Sequence, residues 1–390
     1  MWTSSAVLFA TVFFLSSGKC DDTKPRAAAP KRETVSPQWR VDLRPSIGSQ
    51  PLGLVTGHGR ETQAKPHTSL WFLDNNTLAV TFVTREAEPG LSSRGQGAAS
   101  SALRLRAVFL DAATGKVLRN QTWPADTRFA GIVAAHDSKF VVQTGNVLQL
   151  YSADLTVIAR LELASAGDND WHAYPSPAGT SILFVATNLR TASPVPWVWV
   201  DTDRLQVVRA WNETQSGWVS VSDHNIAMTT CVWVYDCKPE IRVRGLQTDW
   251  KTVAGVDRRN PQRPQFVDDD TLMAPGNPSR LIRADGQIIL AGESPGKCAL
   301  GDVYPSSAGR RFIVPSCKVK GAVATLDVGG YELLHKLFIY DAPFHWPSYA
   351  IGVNGPPIRG LASMAVSPDG LQLAILADRW VELLRLPPLP

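Results

Sequence analysis

Apolar and polar positions alternate in short runs along the chain, from about Trp39 to its C-terminal end. Runs rich in Val, Ile, Leu, Phe, Trp and Thr are separated by clusters of Asp, Asn, Gly, Ser and Pro. This pattern is typical of strands joined by turns. No stretch keeps a helical period over an adequate length. The chain is therefore predicted to be all-β.

The strand pattern is also periodic. FLDNNTLAV at 72–80 returns as FVDDDTLMA at 266–274, and related segments occur between and after them. Seven segments share one turn position, which is occupied by Asp74, Asp137, Ala178, Asp223, Asp268, Ala308 and Asp369. Most of the intervals are about 40–45 residues, the length of one four-stranded propeller blade. We predict a seven-bladed β-propeller with four-stranded antiparallel blades over residues 38–390.

A second hairpin is predicted later in each repeat, with an apolar strand on each side of a short polar turn. The segments with this pattern are 105–120, 148–163, 198–211, 241–253, 280–292 and 325–337. The two longest intervals are explained by insertions at 86–101 and 341–360.

The last repeat is incomplete, because it offers only the strands LQLAILA and RWVELLRL after Asp369. The segment PQWRVDL at 37–43 is predicted to supply the missing strand. Pairing the N-terminal strand into the last blade closes the ring and removes an exposed sheet edge.

Two turn sequences resemble known repeats. SPDG at 367–370 precedes a strand, and DAATGKV at 111–117 lies between two strands. Both resemble the YVTN-type and quinoprotein-type blade repeats, and the resemblance covers most of residues 40–388. It implies a propeller fold and no particular activity. The tryptophan–aspartate dipeptide of the WD repeat is missing, so the repeats are WD-like at most.

The N-terminal region suggests export. Residues 1–18 are predicted to be a signal peptide, because the apolar run 6–15 is too short to span a bilayer. Residues 19–37 mix Pro, Ala and charge, as a disordered linker does. We expect a secreted or periplasmic protein without a transmembrane segment. Lipid anchoring through Cys20 is disfavoured, because Lys19 replaces the small residue expected there.

Charge and cysteine content narrow the possibilities further. The net charge is +4 and the 39 Lys and Arg residues are scattered, so no nucleic-acid partner is expected. Four cysteines remain after Cys20, and local disulfides, Cys231–Cys237 and Cys298–Cys317, are favoured. Buried free thiols are the alternative. Metal ligation is disfavoured, because no CxxC motif occurs.

Motifs with catalytic or cofactor chemistry are weak. GESPGKC at 292–298 is one residue short of a phosphate loop and has Cys where Ser or Thr is required. GDNDWH at 167–172 places Asp168 and Asp170 in a spacing that metal loops use, but a solvated loop is the favoured interpretation. No cofactor is expected.

The binding site is predicted on the face that carries the loops between blades. The loops predicted on this face include 122–130, 164–173, 211–218, 255–264, 293–303 and 341–361. The candidate ligand-binding residues on them are Trp123, Trp171, His172, Trp218, Arg258, Arg259, Lys297, His345 and Trp346. Packing between blades is the competing role for each tryptophan.

The predicted function is binding or scaffolding of a protein or glycan ligand by a monomeric propeller. One alternative is a propeller enzyme with its site at the central channel: a hydrolase, a lyase or a quinoprotein-like oxidoreductase. Asp168, Asp170, His172 and His345 are its first candidates. A third possibility is a purely structural spacer.

Overall fold

A computed structural model describes most of the repeats. The described residues are 31–47, 68–87, 101–125, 130–164, 170–187, 194–214, 217–230, 238–256, 263–274, 279–292, 303–316, 336–342, 345–353, 361–377 and 380–389. Within them the chain forms strands and one four-residue helix, α1. In this part of the chain, no helix has the length and apolar character needed to cross a membrane.

The elements follow the chain in this order: β1 (Lys31–Val35), β2 (Pro37–Asp42), α1 (Arg44–Ile47), β3 (Thr68–Phe72), β4 (Thr77–Ala87), β5 (Ser101–Asp111), β6 (Val117–Ala125), β7 (Gly131–His136), β8 (Lys139–Thr144), β9 (Val147–Tyr151), β10 (Val157–Glu162), β11 (Asp170–Pro175), β12 (Ser181–Thr187), β13 (Val195–Asp201), β14 (Gln206–Glu213), β15 (Gly217–Val221), β16 (Asn225–Thr230), β17 (Glu240–Gly245), β18 (Lys251–Gly255), β19 (Gln265–Phe266), β20 (Thr271–Ala274), β21 (Ser279–Arg283), β22 (Ile288–Gly292), β23 (Tyr304–Pro305), β24 (Arg311–Ser316), β25 (Lys336–Asp341), β26 (His345–Val353), β27 (Leu361–Val366), β28 (Gln372–Ala377) and β29 (Trp380–Arg385).

These strands form seven sheets, and the predicted seven-bladed β-propeller is confirmed. Blades 1 to 5 are β3–β6, β7–β10, β11–β14, β15–β18 and β19–β22. Blade 6 contains β23–β26 with β1, and blade 7 contains β27–β29 with β2. The first strand of each blade, strand A, is innermost, and B, C and D follow outward. All seven predicted turn positions lie between strands A and B of successive blades.

Each blade packs on its neighbours through side chains that alternate along its strands. On β12, Ile182 and Phe184 are buried against blade 2, whereas Leu183 and Val185 are buried against blade 4. A strand that is covered on both faces needs a continuous apolar run, which explains the sequence SILFVAT. Seven such clusters fill the seven interfaces. Burying one Leu, Ile, Val or Phe side chain contributes about 1.5–3 kcal/mol. The repeat therefore recurs because no blade can cover its own faces.

The N-terminal segment closes the ring, as predicted. Strand β2 pairs antiparallel with β29, from Pro37 opposite Leu384 to Asp42 opposite Trp380. Trp39 donates its indole N–H to the carbonyl of Ala112 in blade 1, at 2.8 Å. The outer edge of blade 7 is therefore covered, and its closing strand is anchored to the first blade.

Two sequence-based boundaries were wrong. Residues 31–35 fall in the predicted linker, but they form β1, which pairs parallel with β26. Residues 31–35 form a strand because they pair with the open edge of β26. Their own composition does not indicate that such a partner exists. The predicted insertion at 341–360 contains β26 itself, and β25 with β26 forms the outer hairpin of blade 6. Of the hairpin predicted at 325–337, residues 325–335 lie outside the described residues. The sequence between the two strands, Ala-Pro-Phe at 342–344, contains no Asp, Asn, Gly or Ser, so it gave little sign of a hairpin.

The A–B and C–D turns lie together on one face, here called the turn face. The D–A and B–C connections lie on the opposite face, the loop face. Hydrogen bonds join A–B turns of neighbouring blades, and their donor–acceptor pairs are Ser138–Asp74, Ser181–Asp223, His224–Asp269, Arg311–Gly370 and Asp369–Asn75. Between blades 2 and 3, a Cβ added at Gly179 would lie 2.3 Å from the carbonyl oxygen of Ala135.

Candidate functional site

The inner strands of blades 3 to 5 bring a polar and aromatic cluster together along the central channel. Each A strand runs from the loop face to the turn face, so Trp218, the second residue of β15, lies nearer the loop face than Tyr174, the fifth of the six residues of β11. The cluster, here called the channel cluster, consists of His172 and Tyr174 from β11, Trp218 from β15, and Arg263 just before β19.

Arg263 holds the channel cluster together. Its Nε donates a hydrogen bond of 2.6 Å to the backbone carbonyl of Val219 on β15. Its guanidinium carbon lies 4.9 Å from the centre of the Tyr174 ring on β11. One side chain from blade 5 therefore reaches across the inner strand of blade 4 to blade 3. Cation–π contacts of this kind contribute about 0.5–2 kcal/mol.

The neighbours of this pair follow from strand alternation. His172 lies two residues before Tyr174, so both side chains are on the same side of β11. Val219 and Val221 pack toward blade 3, which turns Trp218 and Ser220 toward blade 5. Ser220 confirms the direction, because its Oγ accepts a hydrogen bond of 3.0 Å from the N–H of Phe266 in blade 5. The Trp218 side chain therefore lies on the face of β15 that is turned toward blade 5, the blade that contains Arg263.

Two ionisable groups have pKa values that bear on possible chemistry. Burial raises the pKa of the Tyr174 phenol, and the nearby Arg263 partly opposes this. At neutral pH the phenol is uncharged and can donate a hydrogen bond. Burial also raises the pKa of Asp270, but this residue lies in the A–B turn of blade 5, on the turn face. The raised pKa of Asp270 therefore does not indicate a functional site in the channel.

Trp123 and Trp171 are buried between blades. Trp123 is 6% exposed and donates to the hydroxyl of Tyr151 at 3.0 Å. Trp171 is 5% exposed and donates to the carbonyl of Ala164 at 3.1 Å. Their indole groups pack within the interfaces of blades 1–2 and 2–3.

The other candidates are divided among three places. His172 and Trp218 are half-buried and belong to the channel cluster. His345 and Trp346 begin β26, directly after a C–D turn, so the structure places them at the turn face instead of the predicted loop face. The physical reason is that β26 is a strand and not a loop insertion. Arg258, Arg259 and Lys297 lie outside the described residues.

The predicted metal and disulfide positions are mostly outside the described residues too. These positions are Asp168, Cys231, Cys237, Cys298 and Cys317. Asp170 is exposed at the first residue of β11. Within the described ranges, no three His, Cys, Asp or Glu side chains are grouped as metal ligands would be.

Comparison with known proteins supports the fold. No protein-family model matches the chain, and no curated protein sequence does. The Neurospora crassa Pan2 WD40 domain is similar in structure, with a TM-score of 0.52 and 11% identity over 93% of this chain and 98% of that chain. A chain of the mitotic checkpoint complex has the same score and identity over 99% of each chain. The fold is a β-propeller with WD40 neighbours. At this identity the likeness shows the fold alone.

Proposed function

We propose that this protein is an exported binding or scaffolding module whose protein partner docks on the loop face around the channel cluster. The difference between the two faces carries the proposal. Connections on the turn face have 2–5 residues, from 137–138 to 306–310, whereas those on the loop face range from 2 residues at 145–146 to 25 at 43–67, which includes α1. Uniform turns serve packing, and loops of varied length on a rigid scaffold are where binding residues concentrate.

The chemistry at the loop face agrees with binding. A cation against the ring of Tyr174, with Trp218 on the neighbouring inner strand, suits recognition of another protein. The structural neighbours include a chain from a complex, the mitotic checkpoint complex. Protein partners are therefore favoured over a glycan. Export follows from the apolar segment 6–15 and is tested by fusing residues 1–18 to a reporter and measuring its secretion.

Site-specific photo-crosslinking tests the docking face. A benzophenone amino acid replaces Asp170, which is exposed on the loop face, in the full chain within the cells that produce it. We expect one discrete protein adduct, identified by mass spectrometry. The matched control places the same group at Arg310, which is exposed in an A–B turn of the turn face. An adduct formed from Arg310 and absent from Asp170 would reverse the assignment of faces.

A further inference from the structure

Arg263 lacks the carboxylate partner that two other shielded arginines have. Arg311 pairs with Asp341 at 2.6 Å, and Arg244 pairs with Glu213 at 3.4 Å. The contacts of Arg263 are a backbone carbonyl and an aromatic ring, and no carboxylate pairs with it among the described residues.

Arg119 likewise contacts a backbone carbonyl and an aromatic ring, those of Ala153 and Phe109, but it lies on the outer strand β6. Arg263 differs from Arg119 in its position, because it precedes an inner strand and lies beside the channel, which a ligand can enter. This arrangement is that of a cation kept ready for an anion.

The donors that remain at this position define the anion. The Nε of Arg263 donates to Val219, and its two terminal nitrogens have no acceptor among the described residues, so we take these N–H groups as the donors to a ligand. Two parallel N–H groups match the two oxygens of a carboxylate. The Tyr174 ring lies against the guanidinium and limits its movement, so less side-chain freedom is lost when a ligand binds.

We propose that Arg263, supported by Tyr174, binds a carboxylate of an acidic peptide segment that enters the channel from the loop face. This inference rests on the proposed function, since it names the chemistry that the docked partner presents. The segment is an extended stretch containing Asp or Glu, whose carboxylate reaches the guanidinium from the channel axis. Trp218, on the face of β15 that is turned toward blade 5, contacts the apolar part of the same segment.

The test uses purified full chain and a fluorescein-labelled hexaglutamate peptide, with hexaglutamine as the uncharged control. Fluorescence anisotropy at low ionic strength should show binding of hexaglutamate and none of hexaglutamine. Arg263→Gln should weaken binding about tenfold or more, because a charged hydrogen-bonded pair is lost. Arg263→Lys keeps the charge without the planar fork and should give an intermediate loss. Raising the salt to physiological strength should weaken binding by the wild type.

Arg310→Gln is the matched control, since it removes an exposed arginine from the turn face, and its affinity should equal that of the wild type. Melting temperatures of all variants show whether each one is folded. Tyr174→Phe keeps the ring and removes the hydroxyl, and should cost about two- to fivefold if the phenol donates to the ligand. Equal binding by wild type and folded Arg263→Gln, or no binding by the wild type, overturns the inference.

The outcome is separable from that of the proposed function. If the adduct from Asp170 forms equally in wild type and in Arg263→Gln, the partner docks on the loop face without using this cation. If binding of hexaglutamate depends on Arg263 but no adduct forms at Asp170, the anion site is supported and protein docking on the loop face is contradicted.

Discussion

The two faces of the propeller are built by different rules. On the turn face, each A–B turn is short and most are hydrogen-bonded to the next blade, as Ser138 is to Asp74. On the loop face, connections differ widely in length, and Arg263 spans three blades without an ion pair among the described residues. The turn face is therefore committed to holding the ring together. The loop face can vary its sequence at little cost in stability, as a binding surface must.

The comparison predicts that substitutions on the turn face cost stability and those on the loop face cost binding. The largest effect is expected for Arg311→Ala. Arg311 and Asp341 have side chains 0% and 1% exposed, with Nε 2.6 Å from Oδ1. Arg311 also donates to the carbonyl of Gly370 at 2.9 Å, across the interface of blades 6 and 7. Leaving the Asp341 carboxylate buried without its partner should lower the free energy of unfolding by about 3–5 kcal/mol, measured by urea denaturation.

The control for this variant replaces both partners. Arg311→Met combined with Asp341→Leu removes the buried charges together, and apolar pairs of similar volume are often neutral in such positions. The double variant should be clearly more stable than Arg311→Ala. If Arg311→Ala unfolds at the wild-type urea concentration, the turn face does not hold blades 6 and 7 as described.

A smaller loss is expected for Gly179→Ala. Gly179 has a φ of 76°, and its added Cβ would lie 2.3 Å from the backbone oxygen of Ala135 in the next blade. Left-handed strain and the clash together should cost about 1–3 kcal/mol, seen as a lower melting temperature. Gly255→Ala is the control at the loop-face end of β18. Nothing lies within 4 Å of the Cβ added there, so this variant should change stability by no more than about 1 kcal/mol and in the stabilising direction.

Asp74→Ala should have a still smaller effect. One carboxylate oxygen of Asp74 accepts from the N–H of Asn76 at 2.8 Å, and the other accepts from Ser138 in blade 2 at 3.0 Å. Their loss should cost about 1–2 kcal/mol. Asp170→Ala, at an exposed loop-face position, should stay within about 0.5 kcal/mol of the wild type. A double-mutant cycle with Ser138→Ala measures the coupling energy of the Asp74–Ser138 contact between blades 1 and 2. A coupling energy of zero would contradict a stabilising contact between these two turns.

The turns were predictable from sequence because their hydrogen bonds are local. The carboxylates of Asp74, Asp268 and Asp369 each accept from a backbone N–H two residues later, at 2.8–2.9 Å. Such turns leave a signature in the residues themselves. Their spacing indicated the blades, and an unpaired last repeat indicated the closing strand. This chain forms a propeller without a tryptophan–aspartate dipeptide, because alternating apolar residues make the interfaces between its blades.

The channel cluster was only half predictable, because ring closure and not the local sequence brings it together. His172 and Trp218 were candidates from the loops that carry them. Tyr174 and Arg263 were missed, since they are far apart in sequence and each one alone is an ordinary strand or loop residue. β1 was missed for a similar reason: its partner, β26, lies more than 300 residues away. Partners that distant leave no periodic signal.

The smallest effect is a pH dependence of the turn face that arises at two exposed C–D turns. Hydrogen bonds from Thr114 lower the pKa of Asp111, and those from Ser152 and Thr156 lower the pKa of Asp154. A carboxyl group with a lowered pKa in the folded state stabilises that state fully above its unfolded pKa of about 3.9. This contribution is lost as the pH falls through the folded pKa. The wild type should therefore lose stability below about pH 4 partly through these two turns.

The variant Asp111→Asn with Asp154→Asn removes both titrating groups, so its melting temperature should fall less steeply than that of the wild type between about pH 5 and pH 2. Thr114→Val removes one donor to Asp111 and should reproduce part of the change while keeping the carboxylate. Because both groups are exposed, the difference should be smaller than that caused by Asp74→Ala. Identical slopes for wild type and double variant would mean that these turns add nothing to the turn face, and that its stability comes from the contacts between blades.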